Sequence, residues 1–299
     1  MIGRVTQQTV KYSTLASLQL NLSAMASMQA KMSSGKKISV PSDDPAAASD
    51  ILRLRGEQRA QTQYVRNSDD GNSWLTTADT AIQSSLSVLR RARDLTVQSG
   101  DGALGATSRD ALATEIEGVR ASLLAQANTA FLGRSVFAGT SDKGAAFVTD
   151  PTDGPYSWTG TAGAAVERRV GPITTVRVDV DGQAAFGSGA SSVFALLDQV
   201  AAALRTPGAD ATAFLGQIDG HMDNMLTQVS AVGARQNQVS DAQSDLLTAQ
   251  LTTKTQLSGI EDIDLAETIL QLQSQEVAYK GALGAASKVL QPSLMDFLK

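Results

Sequence analysis

The chain has 299 residues, of which 42% are hydrophobic but only 4% aromatic, and its formal net charge is −5. This length suits roughly one to three domains, and the absence of cysteine excludes disulfides, thiolate nucleophiles and cysteine-ligated zinc. The acidic balance argues against a nucleic-acid partner, which would favour a basic surface. Alanine supplies much of the hydrophobic content, so the composition favours helices packed closely side by side over a core built from aromatic residues.

The first predicted element is a helix that ends at the loop 33–35. Residues of one row step three and four positions apart, at Leu15, Leu18, Leu22, Met25, Gln29 and Met32, and all of them except Gln29 are apolar. That spacing puts a narrow apolar stripe on one side of the helix, which needs a second helix to leave water. Residues 1–40 contain five basic residues and no acidic residue, for a formal charge of +5. They lack the apolar run of a secretory signal, so we expect any export to use a route without a cleaved signal peptide.

The second predicted helix begins after Pro41-Ser42-Asp43-Asp44-Pro45, because Asp44 can cap the first amides and Pro45 suits the first turn. It continues to about Ser99, with a weak point expected at 69–71. A break at 100–105 precedes a third helix from about Ser108 to Ala130. The second helix carries its own apolar stripe, formed by Leu75, Ala78, Ile82, Ser85, Leu89 and Ala92.

The pattern changes in residues 141–190, which are rich in Gly, Pro, Thr and Asp. Apolar residues alternate in Ala164–Val170 and Thr174–Val180, which predicts two small strands. The Asp181-Gly182 pair predicts a hairpin turn. Helical pattern resumes at Ser191 and stops at 206–208.

The longest helical signal runs from about 210 to 257, roughly 70 Å at 1.5 Å per residue. It keeps alternating four- and three-residue steps at Ile218, Met222, Met225, Val229, Val232, Gln236, Val239, Gln243, Leu246, Gln250, Thr253, Leu257 and Ile260. Gly259 is the expected joint before a terminal helix. Residues 257–299 hold six acidic and three basic residues, for a formal charge of −3. The stripe of the terminal helix includes Leu265, Ile269, Leu272, Tyr279, Leu283 and Leu290.

The sequence contains short matches to catalytic or metal-binding motifs, but the flanking elements or further ligands that those motifs need are missing. Residues 100–105 fit G-x-G-x-x-G, but a helical pattern and not a strand precedes them, so a flexible loop is expected. Residues 33–36 match S-x-x-K by chance. Asp179 and Asp181 lack the further ligands of a calcium loop. His221 has no second ligand nearby in sequence, so it is expected to be an ordinary residue on a helix surface.

Several motifs resemble the flagellin superfamily and, within it, the hook–filament junction proteins. They are MSSGKKISVPSDDPAAA at 32–48, DDGNSWLTTADTAIQSSLSVLRRARDLTVQSG at 69–100, LLAQANTAFLGRSVFAGT at 123–140, SGIEDIDLAETILQLQ at 258–273 and SLMDFLK at 293–299. The similarity covers roughly 1–140 and 210–299. The Pro-Ser-Asp-Asp-Pro segment and the SLMDFLK segment favour a junction protein over a flagellin filament subunit, which stays the alternative.

The resemblance implies a mainly α, elongated bundle of long helices from both chain ends, with a small central β-rich insertion. It implies three domains. Residues 1–42 with 258–299 form a terminal coiled-coil polymerisation domain, and residues 43–140 with 191–257 form a helical rod domain. Residues 141–190 form an outer β-rich domain, for which the resemblance supplies no motif.

The resemblance also implies a non-enzymatic structural subunit without cofactors or metals. Such a subunit is exported through the flagellar type III apparatus, with an export chaperone, and lies outside the cell at the hook–filament junction. Its implied partners are copies of itself, the first hook-associated protein, flagellin and the distal cap during assembly. Nucleic-acid binding and membrane insertion are not expected.

The predicted assembly residues are the apolar residues of the two terminal stripes: Leu15, Leu18, Leu22, Met25, Met32, Leu265, Ile269, Leu272, Tyr279, Leu283 and Leu290. We expect one side of these stripes to pair the two chain ends and the other to meet neighbouring subunits. As a hypothesis, segments of about 1–40 and 260–299 order only on assembly.

Two other classes of protein remain as alternatives. An enzyme built on the β insertion would need a convergent His, Cys or paired-acid site, and none is evident in the sequence. A membrane-inserting translocator would need an apolar span of about 20 residues, which the sequence lacks.

Overall fold

The computed structural model describes residues 7–101, 104–150 and 154–290. The chain divides into two compact units, residues 1–60 with 250–299 and residues 61–249. The fold is mainly helical, with short strands confined to the middle of the chain. The helices are α1 (Gln7–Ser34), α2 (Pro45–Gln98), α3 (Ala106–Ala127), α4 (Gly182–Phe186), α5 (Val193–Arg205), α6 (Leu215–Glu261) and α7 (Leu265–Leu290). The strands are β1 (Ala130–Phe131), β2 (Arg134–Ser135), β3 (Phe147–Asp150), β4 (Gly154–Trp158), β5 (Glu167–Arg169) and β6 (Thr175–Arg177).

The beginning of α2 follows the sequence prediction. Asp44 Oδ1 accepts hydrogen bonds from the amides of Ala46 and Ala47, both at 3.0 Å. These are two of the amides that have no partner inside the helix, and Pro45 needs none because it has no N–H. The predicted start of α2 is therefore confirmed.

The weak point predicted at 69–71 is wrong, because α2 is unbroken there. A Cβ at Gly71 would lie 3.1 Å from Val178 Cγ1 and 3.6 Å from Arg168 Cγ. The glycine lets the strand region approach the helix closely, and the continuous hydrogen-bonded helix tolerates its lower intrinsic propensity.

The strands form three separate antiparallel pairs within the described residues: β1–β2, β3–β4 and β5–β6. The last pair joins the two strands predicted from alternating apolar residues in 164–170 and 174–180, with Arg168 opposite Val176. The predicted hairpin turn at Asp181-Gly182 is wrong. Asp181 instead caps α4, since its side chain accepts hydrogen bonds from the amides of Gln183 and Ala184.

Residues 61–249 contain one continuous hydrophobic core that includes both helices and strands. Despite the low aromatic content of the chain, five rings meet there: Phe137, Phe147, Tyr156, Phe186 and Phe194. Most of these pairs are edge-to-face or tilted, with centroids 5.2–5.9 Å apart, a favourable geometry for aromatic rings. The expectation of a core without aromatic bulk therefore fails here.

The stripe predicted on α2 is buried at every position from Leu75 to Ala92. On α6 the buried residues recur every seven positions, at Ile218, Met225, Val232, Val239 and Leu246. The positions between them in the stripe, such as Met222 and Gln243, are half-buried. The stripe of α6 therefore consists of two seven-residue rows, of which one faces the core and the other lies at the edge of the core.

Helix α6 ends two residues beyond the predicted joint at Gly259. Asp264 then caps α7 by accepting hydrogen bonds from the amides of Ala266 and Glu267, at 2.9 and 3.1 Å. His221 lies on α6 and is half-buried, and its Nδ1 has no hydrogen-bond partner among the described residues. Burial lowers the pKa of His221.

Within the described parts of the chain, no helix is both long and apolar enough to span a bilayer.

Candidate assembly interface

Helices α1 and α7 pack against each other as an antiparallel pair. The amide of Ile263 donates to the carbonyl of Gly35 at 3.1 Å, which joins the end of α1 to the start of α7. Farther along, Gln275 donates to the side chain of Asn21 at 3.2 Å. The carboxyl end of α7 therefore lies beside the amino end of α1.

The surfaces that face each other in this pair are rows with alternating four- and three-residue steps. On α1 the half-buried residues include Thr14, Leu18, Asn21, Met25, Met28 and Met32. On α7 the half-buried or buried residues include Thr268, Leu272, Gln275, Tyr279, Ala282 and Ala286. Two helices alone cover only one side of each other, so most of these side chains stay partly in contact with water.

The predicted assembly residues divide into two sets in the structure. Five lie in the rows between the helices: Leu18, Met25, Met32, Leu272 and Tyr279. Five others are exposed: Leu15, Leu22, Leu265, Ile269 and Leu283. The side chain of Leu290 lies outside the described residues, as does the whole SLMDFLK segment at 293–299. The exposed set flanks the paired rows and remains available for other contacts.

Several strongly exposed apolar residues on these helices lie outside the predicted set. Leu20 is 71% exposed, Leu270 is 67% exposed and Val277 is 70% exposed. Leu270 and Val277 are one heptad apart, and helical geometry directs them away from the face that meets α1. A second apolar row with a seven-residue spacing was the available signal. Clustered exposed apolar residues of this kind mark interaction surfaces.

A short antiparallel clasp, formed by residues 35–37 and 261–263, closes the base of the α1–α7 pair. The amide of Lys37 donates to the carbonyl of Glu261 at 2.6 Å, and Lys36 and Asp262 form a β-bridge. Gly35 has φ +69°, a left-handed conformation that glycine adopts without strain. The backbone bonds fix where α7 begins relative to the end of α1.

The Glu261 carboxylate is the one strongly buried charge in this clasp, with a side chain only 5% exposed. It accepts a hydrogen bond from Arg55 Nη2 at 2.6 Å and pairs with the Lys36 ammonium. A buried carboxylate needs such partners to offset its desolvation. The two cations come from α2 and from the segment after α1, so the carboxylate ties both to the end of α6.

A groove of about 340 Å³ lies beside the clasp. Apolar side chains supply most of its lining: Ile38, Val40, Pro41, Ala48, Ile51 and Leu52. The turn that forms one wall is held by Asp43 Oδ2, which accepts hydrogen bonds from the amides of Ser39 and Val40 at 3.0 and 3.1 Å. These two amides lower the pKa of Asp43. The turn is therefore organised before any partner arrives.

Both ends of the chain are similar to known protein families. Residues 5–142 match the family model described as bacterial flagellin N-terminal helical region, and residues 215–298 match the bacterial flagellin C-terminal helical region. Flagellar hook-associated protein 3 of Escherichia coli is 27% identical over 97% of this chain and 100% of its own length. Flagellin A of Vibrio cholerae is 35% identical, but over only 44% of this chain and 33% of its own length.

Solved structures agree with this fold. The flagellar junction protein of Legionella pneumophila superposes with a TM-score of 0.58 at 17% identity, covering 70% of this chain and all of that one. The two flagellin family models together match well over half of the chain, at both ends. The chain therefore belongs to the flagellin family.

Proposed function

We propose that this chain is a structural subunit of the bacterial flagellum and forms the junction ring between hook and filament. The observation that carries the proposal is the exposed apolar surface on α1 and α7, which the described residues leave uncovered. Helices with such surfaces are stabilised by packing against neighbouring helices. The full-length similarity to hook-associated protein 3 supports the position at the junction.

The mechanism is mechanical. The paired rows on α1 and α7 hold the two chain ends together, and the exposed set, with Leu20, Leu270 and Val277, packs axially and laterally against neighbouring subunits. The protein acts as a structural part and not as an enzyme. In this proposal the terminal domain is 1–42 with 258–299, the rod is 43–140 with 191–257, and 141–190 is an outer domain.

The proposed partners are copies of the chain, the first hook-associated protein and flagellin, with the distal cap present during assembly. The proposed location is outside the cell, after export through the flagellar type III apparatus without a cleaved signal peptide. The exposed apolar face of α7 is a natural target for an export chaperone before assembly. Pull-down of a chaperone from cells should fail when Leu270 and Val277 are both replaced by serine.

A deletion strain of the source bacterium tests the proposal. Loss of the gene should leave intact hooks without filaments, and flagellin should accumulate in the medium. Complementation with the intact gene should restore filaments. Filaments of normal number in the deletion strain would contradict a junction role.

The second candidate is a filament subunit, favoured by the 35% identity to flagellin A. Electron microscopy of the purified protein separates the two. A filament subunit polymerises into long filaments by itself, whereas a junction subunit gives short polymers or none.

A further inference from the structure

We propose that the groove beside the clasp receives the segment 294–298 of a neighbouring copy of this chain. The inference rests on the proposed function, since it requires copies to assemble. It names a contact between subunits that lies outside the exposed rows of α1 and α7.

The groove is partly built and partly open. Its floor contains Ile38 and Ile51, which are buried, while Val40 and Leu52 at its margin are exposed. Leu52 is 64% exposed. Because Asp43 already holds the turn in place, an incoming segment would meet an organised site with little ordering left to do.

The lining residues of the groove carry a net positive charge, which favours an acidic occupant. Among its lining residues, Lys36 and Arg55 are basic and only Glu261 is acidic. One carboxylate thus serves two cations, both of which are partly exposed. An occupant with apolar residues and one carboxylate would bury the apolar surface and balance the remaining positive charge.

Residues 294–298 have this composition: Leu-Met-Asp-Phe-Leu. Leu294, Met295, Phe297 and Leu298 supply apolar side chains, and Asp296 supplies the carboxylate. The acidic residue is therefore surrounded by apolar residues, as a cationic apolar groove requires.

The reach of the chain decides between its own groove and that of a neighbour. Helix α7 has 26 residues, which corresponds to about 39 Å at 1.5 Å per residue. The groove lies at the start of α7, next to Glu261. Leu298 is eight residues beyond Leu290, so an extended segment spans at most about 27 Å. The segment cannot return to the groove of its own chain, but it can enter that of another copy.

Such a contact joins two different surfaces of identical subunits. Heterologous contacts of this kind produce closed rings or helical arrays, depending on the rotation between copies. This matches the ring that the proposed function requires.

Disulfide trapping tests the contact, because the chain has no cysteine of its own. Leu52→Cys and Phe297→Cys proteins are co-expressed in the deletion strain, and the oxidised flagella are analysed on denaturing gels. The matched control pairs Phe297→Cys with Leu247→Cys, because Leu247 is 65% exposed on α6, nearly the same as Leu52. We expect at least about tenfold more covalent dimer from the first pair, because docking raises the effective concentration of the two thiols.

The possible outcomes distinguish a failure of the groove contact from a failure of the proposed junction role. Filaments with equal dimer yields from the two pairs would overturn the groove contact and leave the junction role intact. Failure of the cysteine-free parent to restore filaments would instead refute the proposed function, and the inference with it.

A binding measurement covers the case in which the cysteine variants do not assemble. A labelled peptide of residues 290–299 is titrated into the purified full-length protein. We expect saturable binding that weakens at least about tenfold in Leu52→Asp but not in Leu247→Asp, because only the first change puts a carboxylate in the groove. Equal binding to the two variants, or no binding to the parent protein, would contradict the proposal.

Discussion

The burial of apolar side chains differs between two regions of the molecule, residues 61–249 on one hand and the helices α1 and α7 on the other. In the first region Phe137, Phe186 and Phe194 are completely buried. On the terminal helices Leu20, Leu270 and Val277 are largely exposed. The first region completes its core within one chain, whereas the terminal helices carry apolar surface that the described residues do not cover.

The difference does not come from the periodicity of the sequence, since both regions use alternating four- and three-residue steps. Residues 215–249 of α6 lie in a unit where other helices and strands complete a core, so residues such as Val232 are fully buried. The rows of α1 and α7 pack against each other, and Leu18 and Leu272 stay half-buried. The number of neighbours around a helix, and not its stripe, determines how completely the stripe is buried.

The largest expected effect is on the aromatic core. Phe194→Ala should lower the free energy of unfolding of residues 61–249 by about 3–5 kcal/mol, because it removes a fully buried ring and leaves a cavity. Urea denaturation followed by tryptophan fluorescence measures this, since both tryptophans lie in this unit. A loss below about 1 kcal/mol would show that this core is not the stable part of the protein.

The next effect concerns the clasp. Glu261→Gln leaves Arg55 and Lys36 beside a neutral amide, and we expect a loss of about 1–2 kcal/mol, reduced from the value of a fully buried pair because both cations are partly exposed. Amide exchange at Lys37 and Ile263 should accelerate about five- to thirty-fold. Glu57→Gln, which breaks a solvent-exposed pair with Arg53, is the control and should change exchange little.

A smaller change, in this case a gain in stability, is expected from a substitution in the β1–β2 turn. Leu132 and Gly133 both have positive φ, +48° and +79°, and Leu132 is 81% exposed. Leu132→Asn should raise the stability of residues 61–249 by about 0.5–1 kcal/mol, because asparagine tolerates the left-handed conformation better than leucine. Leu132→Ala keeps the unfavourable backbone preference and should give no comparable gain. Equal melting temperatures for the parent and Leu132→Asn would show that the turn is not strained.

The smallest effect on stability is expected on α7. The double variant Leu270→Ser, Val277→Ser should change the unfolding free energy of the purified monomer by less than about 0.5 kcal/mol, because both side chains are already in water. The same variant should nevertheless lose most of its filaments in the deletion strain. Normal filament numbers on electron micrographs would show that this row is not an assembly surface.

Much of the helical architecture could be predicted from the sequence. The start of α2 at Asp44-Pro45, the stripe on α2 and the long repeat on α6 are local signals, and the structure confirms them. The strands β5 and β6 were also predicted, as somewhat longer segments at 164–170 and 174–180, from the alternation of apolar residues. These features depend on residues close together in the chain, where periodicity and capping chemistry act directly.

Two of the errors lie where distant residues meet. Gly71 was expected to weaken a helix, but Val178 approaches that position closely. The error at Asp181 is local instead: a hairpin turn was expected there, but its side chain caps α4 by accepting hydrogen bonds from the amides of Gln183 and Ala184. The role of Glu261 was missed altogether, because its cationic partners Lys36 and Arg55 are more than 200 residues away in sequence.

The sequence by itself determined that both chain ends form helices with apolar stripes, that the middle contains short strands and that the chain resembles flagellins. Only the tertiary structure decided which residues of each stripe are covered, because burial depends on how many elements surround a helix. It also located the buried carboxylate and the open groove, since both are assembled from segments that the order of residues does not bring together.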